Sequence, residues 1–147
     1  METTTMGKVT VKAKLESLDD VFNQSKGNLR ADQVRGVEVT DALIDTGASG
    51  LFAPRRLIAQ LGVLPYKKQV VKTANGDMEV EVFRAVRLSV QGRDCISDVT
   101  AIADNRPVII GQLPLEAMDW VVDLKNQRLI GNPEHGGVEM AECYGDY

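Results

Sequence analysis

Asp45 is the residue in this chain whose surroundings ask for a chemical explanation. It ends the run Ala42-Leu43-Ile44 and opens the turn Thr46-Gly47-Ala48-Ser49. Three apolar residues read as a buried strand, and a carboxylate delivered from such a strand is costly to bury unless it is paired or hydrogen-bonded. The plain reading is a turn or a cap, because Asp accepts backbone N–H bonds and Gly tolerates unusual dihedrals. The chemical reading is a carboxylate held for acid–base work. A bare Asp-Thr-Gly tripeptide does not separate the two.

Two further stretches bear on the choice. Val108-Ile109-Ile110-Gly111 is a second short apolar run, followed by Gln112-Leu113-Pro114-Leu115-Glu116-Ala117-Met118 with the composition of a short helix. Between the two runs lies Thr73-Ala74-Asn75-Gly76-Asp77, where Asn75-Gly76 reads as the turn between two alternating segments, the strongest short signal for a β-hairpin.

Together these features resemble the aspartic proteases of the retroviral type, over roughly Lys8 to Asn132. In that family the apolar-apolar-Asp-Thr-Gly-Ala-Ser loop carries the catalytic carboxylate, a flap hairpin follows, and an apolar-apolar-Gly strand leads into a short helix. The resemblance implies an all-β, retropepsin-like closed barrel with a flap hairpin and one or two short helices. It implies Asp45 as the catalytic residue, with Thr46, Gly47 and Ala48 forming the active-site loop and supporting a dimer. Ala74, Asn75 and Gly76 would form the flap tip. Val108, Ile109, Ile110 and Gly111 would form the substrate wall, and Val63, Val80 and Val82 would add apolar subsites.

Peptide hydrolysis in that family uses a water held between two carboxylates that share one proton, since two like charges about 3 Å apart do not both ionise. This sequence holds one Asp-Thr-Gly. The second must come from another copy, which implies a homodimer with Asp45 near a two-fold axis. The implied partners are a peptide or protein substrate and a second copy of the chain, with no cofactor. A non-catalytic module of the same fold, serving dimerisation or peptide binding, is the rival reading. Facing two carboxylates across an interface would bring such a scaffold only repulsion.

The elements around these residues follow from periodicity. Lys8 to Leu15 alternates with Val9, Val11, Ala13 and Leu15 on one face, a half-buried strand. Glu16 to Lys26 is polar, with Val21 and Phe22 as anchors, and Gly27-Asn28 marks a turn. Val34 to Thr40 alternates again and feeds the run into Asp45. Ala53 to Gly62 has a proline at its start and a glycine at its end, the punctuation of a short helix. Gln69–Val71 and Met78–Val90 form the arms of the hairpin. Gln91 to Asp94 is a turn, Ile96 to Ala103 a strand, and Trp120–Asp123 with Arg128–Ile130 a second hairpin.

Three spans result: a flexible N-terminus over 1–7, a protease-like domain over 8–132, and a mobile tail over 133–147. The extra residues around Glu16 to Arg35 and the C-terminal extension make the chain longer than retroviral enzymes.

Composition narrows the field. The 147 residues are 44% apolar, enough for one domain with a core, and the net charge is −4 with signs interspersed. No basic stripe points to nucleic acid and no polybasic helix or long apolar run to a membrane. Cys95 and Cys143 lie far apart and read as free thiols in a reducing, cytoplasmic setting. No ligand set suggests a metal. The single histidine, His135, sits in a glycine-rich tail and reads as exposed and inert. A Ser/His/Asp hydrolase would need it placed beside a nucleophile.

Overall fold

The computed structural model describes residues 8–146. The span read as a flexible N-terminus, 1–7, lies outside the described residues, as does Tyr147. Strands dominate: β1 (Val9–Ser17), β2 (Gly36–Ile44), β3 (Leu51–Pro54), β4 (Leu64–Thr73), β5 (Gly76–Val90), β6 (Arg93–Ile102), β7 (Ile109–Ile110), β8 (Trp120–Asp123) and β9 (Arg128–Gly131). Among the described residues three short α-helices interrupt them: α1 (Leu18–Ser25), α2 (Arg55–Leu61) and α3 (Gln112–Ala117). The fold is β-rich, as a retropepsin-like domain requires.

Seven strands join in the order β1-β2-β7-β3-β6-β5-β4. β1 also pairs with β5, Lys14 to Ser17 against Val86 to Ser89, so the sheet curls back on itself. The inward faces form one core. Leu15, Leu51, Ile58, Leu61, Leu88, Ile110, Leu115 and Met118 are all fully buried in it, each stabilising the fold by about 1.5–3 kcal/mol relative to exposure. β1 shows why: its buried and exposed residues alternate from Val9 to Leu15, the period-two pattern of a strand with one dry face. α2 lays Leu57, Ile58 and Leu61 onto that core and ends at Gly62, whose φ of 66° is left-handed.

The structure departs from the sequence reading in four places. First, Leu18 to Ser25 is a helix, not a polar connection. Ser17 caps it by accepting from the Asp20 amide at 3.3 Å. Val21 is buried as an anchor, but Phe22 is about half exposed. Asp20 is buried because Arg35 takes both its oxygens, at 2.8 and 3.1 Å, and that contact first, with the Arg35 amide, holds its carboxyl below the usual range.

Second, the first arm of the long hairpin begins at Leu64, five residues before Gln69. Pro65 disguised it, and is tolerated because β4 lies at the sheet edge. Third, the hairpin turns on Ala74-Asn75, neither at positive φ, and Gly76 follows with φ of 109°. The Thr73 hydroxyl secures the turn by donating to the Gly76 carbonyl at 2.6 Å and accepting from the Asn75 amide at 3.1 Å.

Fourth, His135 is not exposed. Its side chain is 10% accessible, and Nδ1 and Nε2 lie 2.7 Å from Asp119 Oδ2 and Glu142 Oε2. Asp119 Oδ2 also accepts from the Met140 amide at 3.0 Å, and Arg93 donates to the Gly137 carbonyl at 2.7 Å. These contacts tie the segment after Pro133, read from sequence as mobile, to the body of the protein. No helix among the described residues is long and apolar enough to cross a membrane.

Candidate active site

β7 is only two residues long, yet it positions Asp45. It inserts between β2 and β3, parallel to the first and antiparallel to the second. Leu43 and Ile44 pair with Ile109 and Ile110, and Leu51 and Phe52 pair with Ile110 and Ile109. The chain leaving β2 must therefore arch across the end of β7 before returning as β3, and that arch is residues 45–50. β7 can serve this way because all its residues are apolar, as suits a strand with neighbours on both sides.

Five backbone bonds fix the arch. Leu43 N donates to the Val108 carbonyl at 2.8 Å, and Asp45 N to the Ile110 carbonyl at 3.0 Å. On the far side, Gly111, Gln112 and Leu113 donate to the carbonyls of Gly50, Ala48 and Ser49 at 2.8, 2.8 and 3.0 Å. The first turn of α3 thus spends its otherwise unpartnered amides on the loop. Gly111 is required by space, not by dihedral: its φ is −89°. A Cβ there would lie 2.5 Å from the Gly50 carbonyl oxygen and 2.6 Å from that of Ala48.

Within the arch, Asp45 folds its own turn. Its Oδ1 accepts from the Gly47 amide at 2.9 Å, and its carbonyl accepts from the Ala48 amide at 3.0 Å. Asp45 and Thr46 are exposed in the single chain, and Ala48 is half-buried. The Thr46 hydroxyl has no partner among the described residues. The structure therefore presents one carboxylate and one hydroxyl on a fixed loop at the surface.

A groove of about 460 Å³ runs beside this loop. It is lined by Ser49, Gly50 and Phe52, by Lys67 and Val71 of β4, and by Leu113 of α3. Val82, Ile96 and Asp98 also reach it. The expected wall residues are placed differently among themselves. Val108, Ile110 and Gly111 are buried behind the loop and Ile109 is half-buried, so they form its support. Of the expected subsite residues, Val82 lines the groove, Val80 lines a separate hollow with Arg55 and Lys68, and Val63 packs against the core. Ala74, Asn75 and Gly76 sit exposed at the tip of the hairpin whose base forms the groove.

Sequence reasoning missed Lys67, Ile96 and Leu113. Alternation of Lys67, Gln69 and Val71 along one strand face could have found the first; an apolar residue left exposed on a short helix marks the last. Cys95 also borders the groove, but burial, and secondarily Asp94, push its thiol up to about 11. That keeps it in the protonated, less nucleophilic form at neutral pH.

The comparison with known proteins bears on the same stretch. No curated protein matches the chain. A sequence model described as aspartyl protease matches residues 33–113, more than half of the 147. That interval begins just before β2, contains the whole arch and hairpin, and ends on the three amides that clamp the loop. With Asp45 set where β2, β7 and α3 converge, the chain belongs to the aspartyl protease family.

Proposed function

We propose that this protein is an aspartic endopeptidase whose site is completed by a second copy of the chain. The observation that carries the reading is the clamped arch: a carboxylate exposed at the surface yet fixed by five backbone bonds. Preorganisation of this kind is what acid–base catalysis needs, because a loosely held carboxylate loses its geometry.

In the homodimer, Asp45 of each chain meets its mate, and the two share one proton. The ionised carboxylate takes a proton from water as its oxygen attacks the peptide carbonyl carbon. The protonated carboxyl gives its proton to the carbonyl oxygen. The resulting tetrahedral diol collapses as the carboxyl that took the water's proton passes it to the amide nitrogen, the C–N bond breaks, and a diol hydroxyl returns a proton to the other carboxylate, restoring the shared proton. Each Thr46 hydroxyl bonds across the axis beneath the carboxylates, which gives the unpartnered hydroxyl its role. Ala74, Asn75 and Gly76 close over the peptide as a flap, and the groove beside Ser49 and Phe52 receives its side chains. Residues 8–132 form the catalytic domain. Ala48 offers no hydroxyl to favour the charged form of the dyad, so activity extends from mildly acidic to near-neutral pH. Two free thiols suit a reducing, cytoplasmic setting.

The test is incubation with a peptide library, wild type beside Asp45→Asn, at several protein concentrations. The wild type cuts peptides with a rate per chain that falls on dilution, and Asp45→Asn, folded and dimeric, falls to background. Undiminished cleavage by Asp45→Asn would falsify the assignment.

A further inference from the structure

The groove beside the arch carries a charge that its own walls leave unanswered. Three lysines lie on β4, and the register with β5 distinguishes them. Lys68 stands across from Glu81 and Lys72 across from Asp77, so each has a carboxylate as its cross-strand neighbour. Lys67 stands across from Val82. Strand alternation turns it to the opposite face from Lys68, and there it lines the groove while Lys68 lines another hollow. Its ammonium lies 5.6 Å from the centre of the Tyr66 ring and makes no ion pair among the described residues.

The other charged group bordering the groove is Asp98, and it is already engaged. Arg84 Nε and Nη2 hold its two oxygens at 2.8 and 3.0 Å, a forked pair. The Arg84 guanidinium rests 3.7 Å from the centre of the Tyr66 ring, which keeps the fork in place. With Arg84 and Asp98 cancelling, the open charge is one positive ammonium per groove, in a chain whose net charge is −4. Around it the walls are mixed: apolar Phe52, Val82 and Ile96 stand with polar Gln69, Ser97 and Thr100. Such a site takes the methylene stem of a side chain on its walls and a carboxylate at Lys67.

We propose that Lys67 makes this groove select peptides carrying an aspartate or glutamate side chain near the bond to be cut. The inference rests on the peptidase reading and deepens it by naming a substrate class. Lys67 acts on binding and leaves the chemistry to the carboxylates, so its effect falls on KM more than on kcat.

The experiment uses peptides in Glu/Gln pairs, differing at one position at a time. The wild type favours the glutamate member at one position by about fivefold in kcat/KM, the size of a partly exposed charge-assisted contact. The preference shrinks as salt is raised. Lys67→Met removes it and Lys67→Glu turns it towards lysine-bearing peptides, while Lys68→Met keeps it. Binding of the same pairs to Asp45→Asn is measured alongside. If the wild type cleaves no peptide, the peptidase reading fails, and the dissociation constants still decide the selectivity. Equal affinity for both members at every position, or a preference that survives Lys67→Glu, overturns the proposal.

Discussion

Replacing Gly111 with alanine adds one methyl group at the point where the loop that carries Asp45 is clamped. The new Cβ would sit 2.5 Å from the Gly50 carbonyl oxygen and 2.6 Å from that of Ala48, where ordinary contact begins near 3.4 Å. Backbone on one side or the other must move by roughly 0.9 Å to reach ordinary contact, and no flexible side chain can absorb the shift. Overpacking of this kind costs about 1–3 kcal/mol. The displaced atoms are themselves hydrogen-bond acceptors, so one or two of the three bonds from Gly111, Gln112 and Leu113 go with them, at about 1 kcal/mol each. The sum, about 2–5 kcal/mol, is a large fraction of the stability of a single domain. With a slope near 2 kcal/mol per molar urea, the unfolding midpoint falls by about 1–2.5 M. Activity falls further than stability, because the moved carbonyls belong to the loop that carries Asp45. Urea titration followed by the fluorescence of Trp120, beside peptide cleavage under conditions where the variant is folded, checks both. A variant with an unchanged midpoint and full activity would mean that the arch is not clamped as described.

Three other perturbations follow from the same geometry. Thr46→Ala removes a hydroxyl that has no partner in the single chain, so monomer stability stays within about 0.5 kcal/mol while the dimer weakens; sedimentation at graded concentrations separates the two, and an unshifted dimer constant refutes the cross-axis bond. Gly76→Val opposes the φ of 109° at the hairpin tip but meets nothing within 4 Å, so turnover drops severalfold with little change in melting temperature; equal turnover counts against the flap. The tail contact is pH-dependent. Both ring nitrogens of His135 face carboxylates, so both donate and the ring is charged; Asp119 first, then Glu142, raises its pKa above 6.5. A raised folded pKa gives stability that is full below 6.5 and is lost as pH rises through the folded value. Asp119, lowered below 3.8 chiefly by His135, contributes above 3.8 and loses its contribution as pH falls through the folded value. The segment 133–142 is held most firmly between about pH 4 and 6.5, and limited proteolysis increases above that window in the wild type but not in His135→Asn; a flat profile in the wild type would sink the strap.

The parts of the fold that were legible share a local cause. β1, the second arm of the hairpin and the turn at Gln91-Gly92 follow from alternation and glycine punctuation, which act within a few residues. α2 is announced by Pro54 and Gly62 on either side of its apolar face. The parts that were not legible depend on distant partners. α1 is a polar segment of eight residues, and it holds as a helix because Ser17 caps it and Asp20 docks onto Arg35, fifteen residues away. His135 is drawn in by Asp119 and Glu142, of which neither is marked by periodicity. Phe22 looked like an anchor by type alone, but its position on α1 leaves it half exposed.

The same division runs through the candidate site. Asp45 stands out in the sequence because an apolar run ends in a carboxylate, and the structure sets that carboxylate exposed just past the end of β2. Val108 to Gly111 is legible as a unit but not in its placement: an apolar strand can wall a groove or underlie a loop, and only the pairing of β7 with both β2 and β3 decides. Flanked by strands on both edges, Val108 and Ile110 face the core and have no surface to offer a substrate. The surface instead falls to residues one layer out, on β4, β6 and α3, where Lys67, Ile96 and Leu113 stand. The scaffold and the groove are thus made by different residue sets. Val108, Ile110 and Gly111 answer to packing, and a change there moves Asp45. Lys67, Ile96 and Leu113 line the groove, and on the proposed reading a change there alters what is bound while leaving the arch in place.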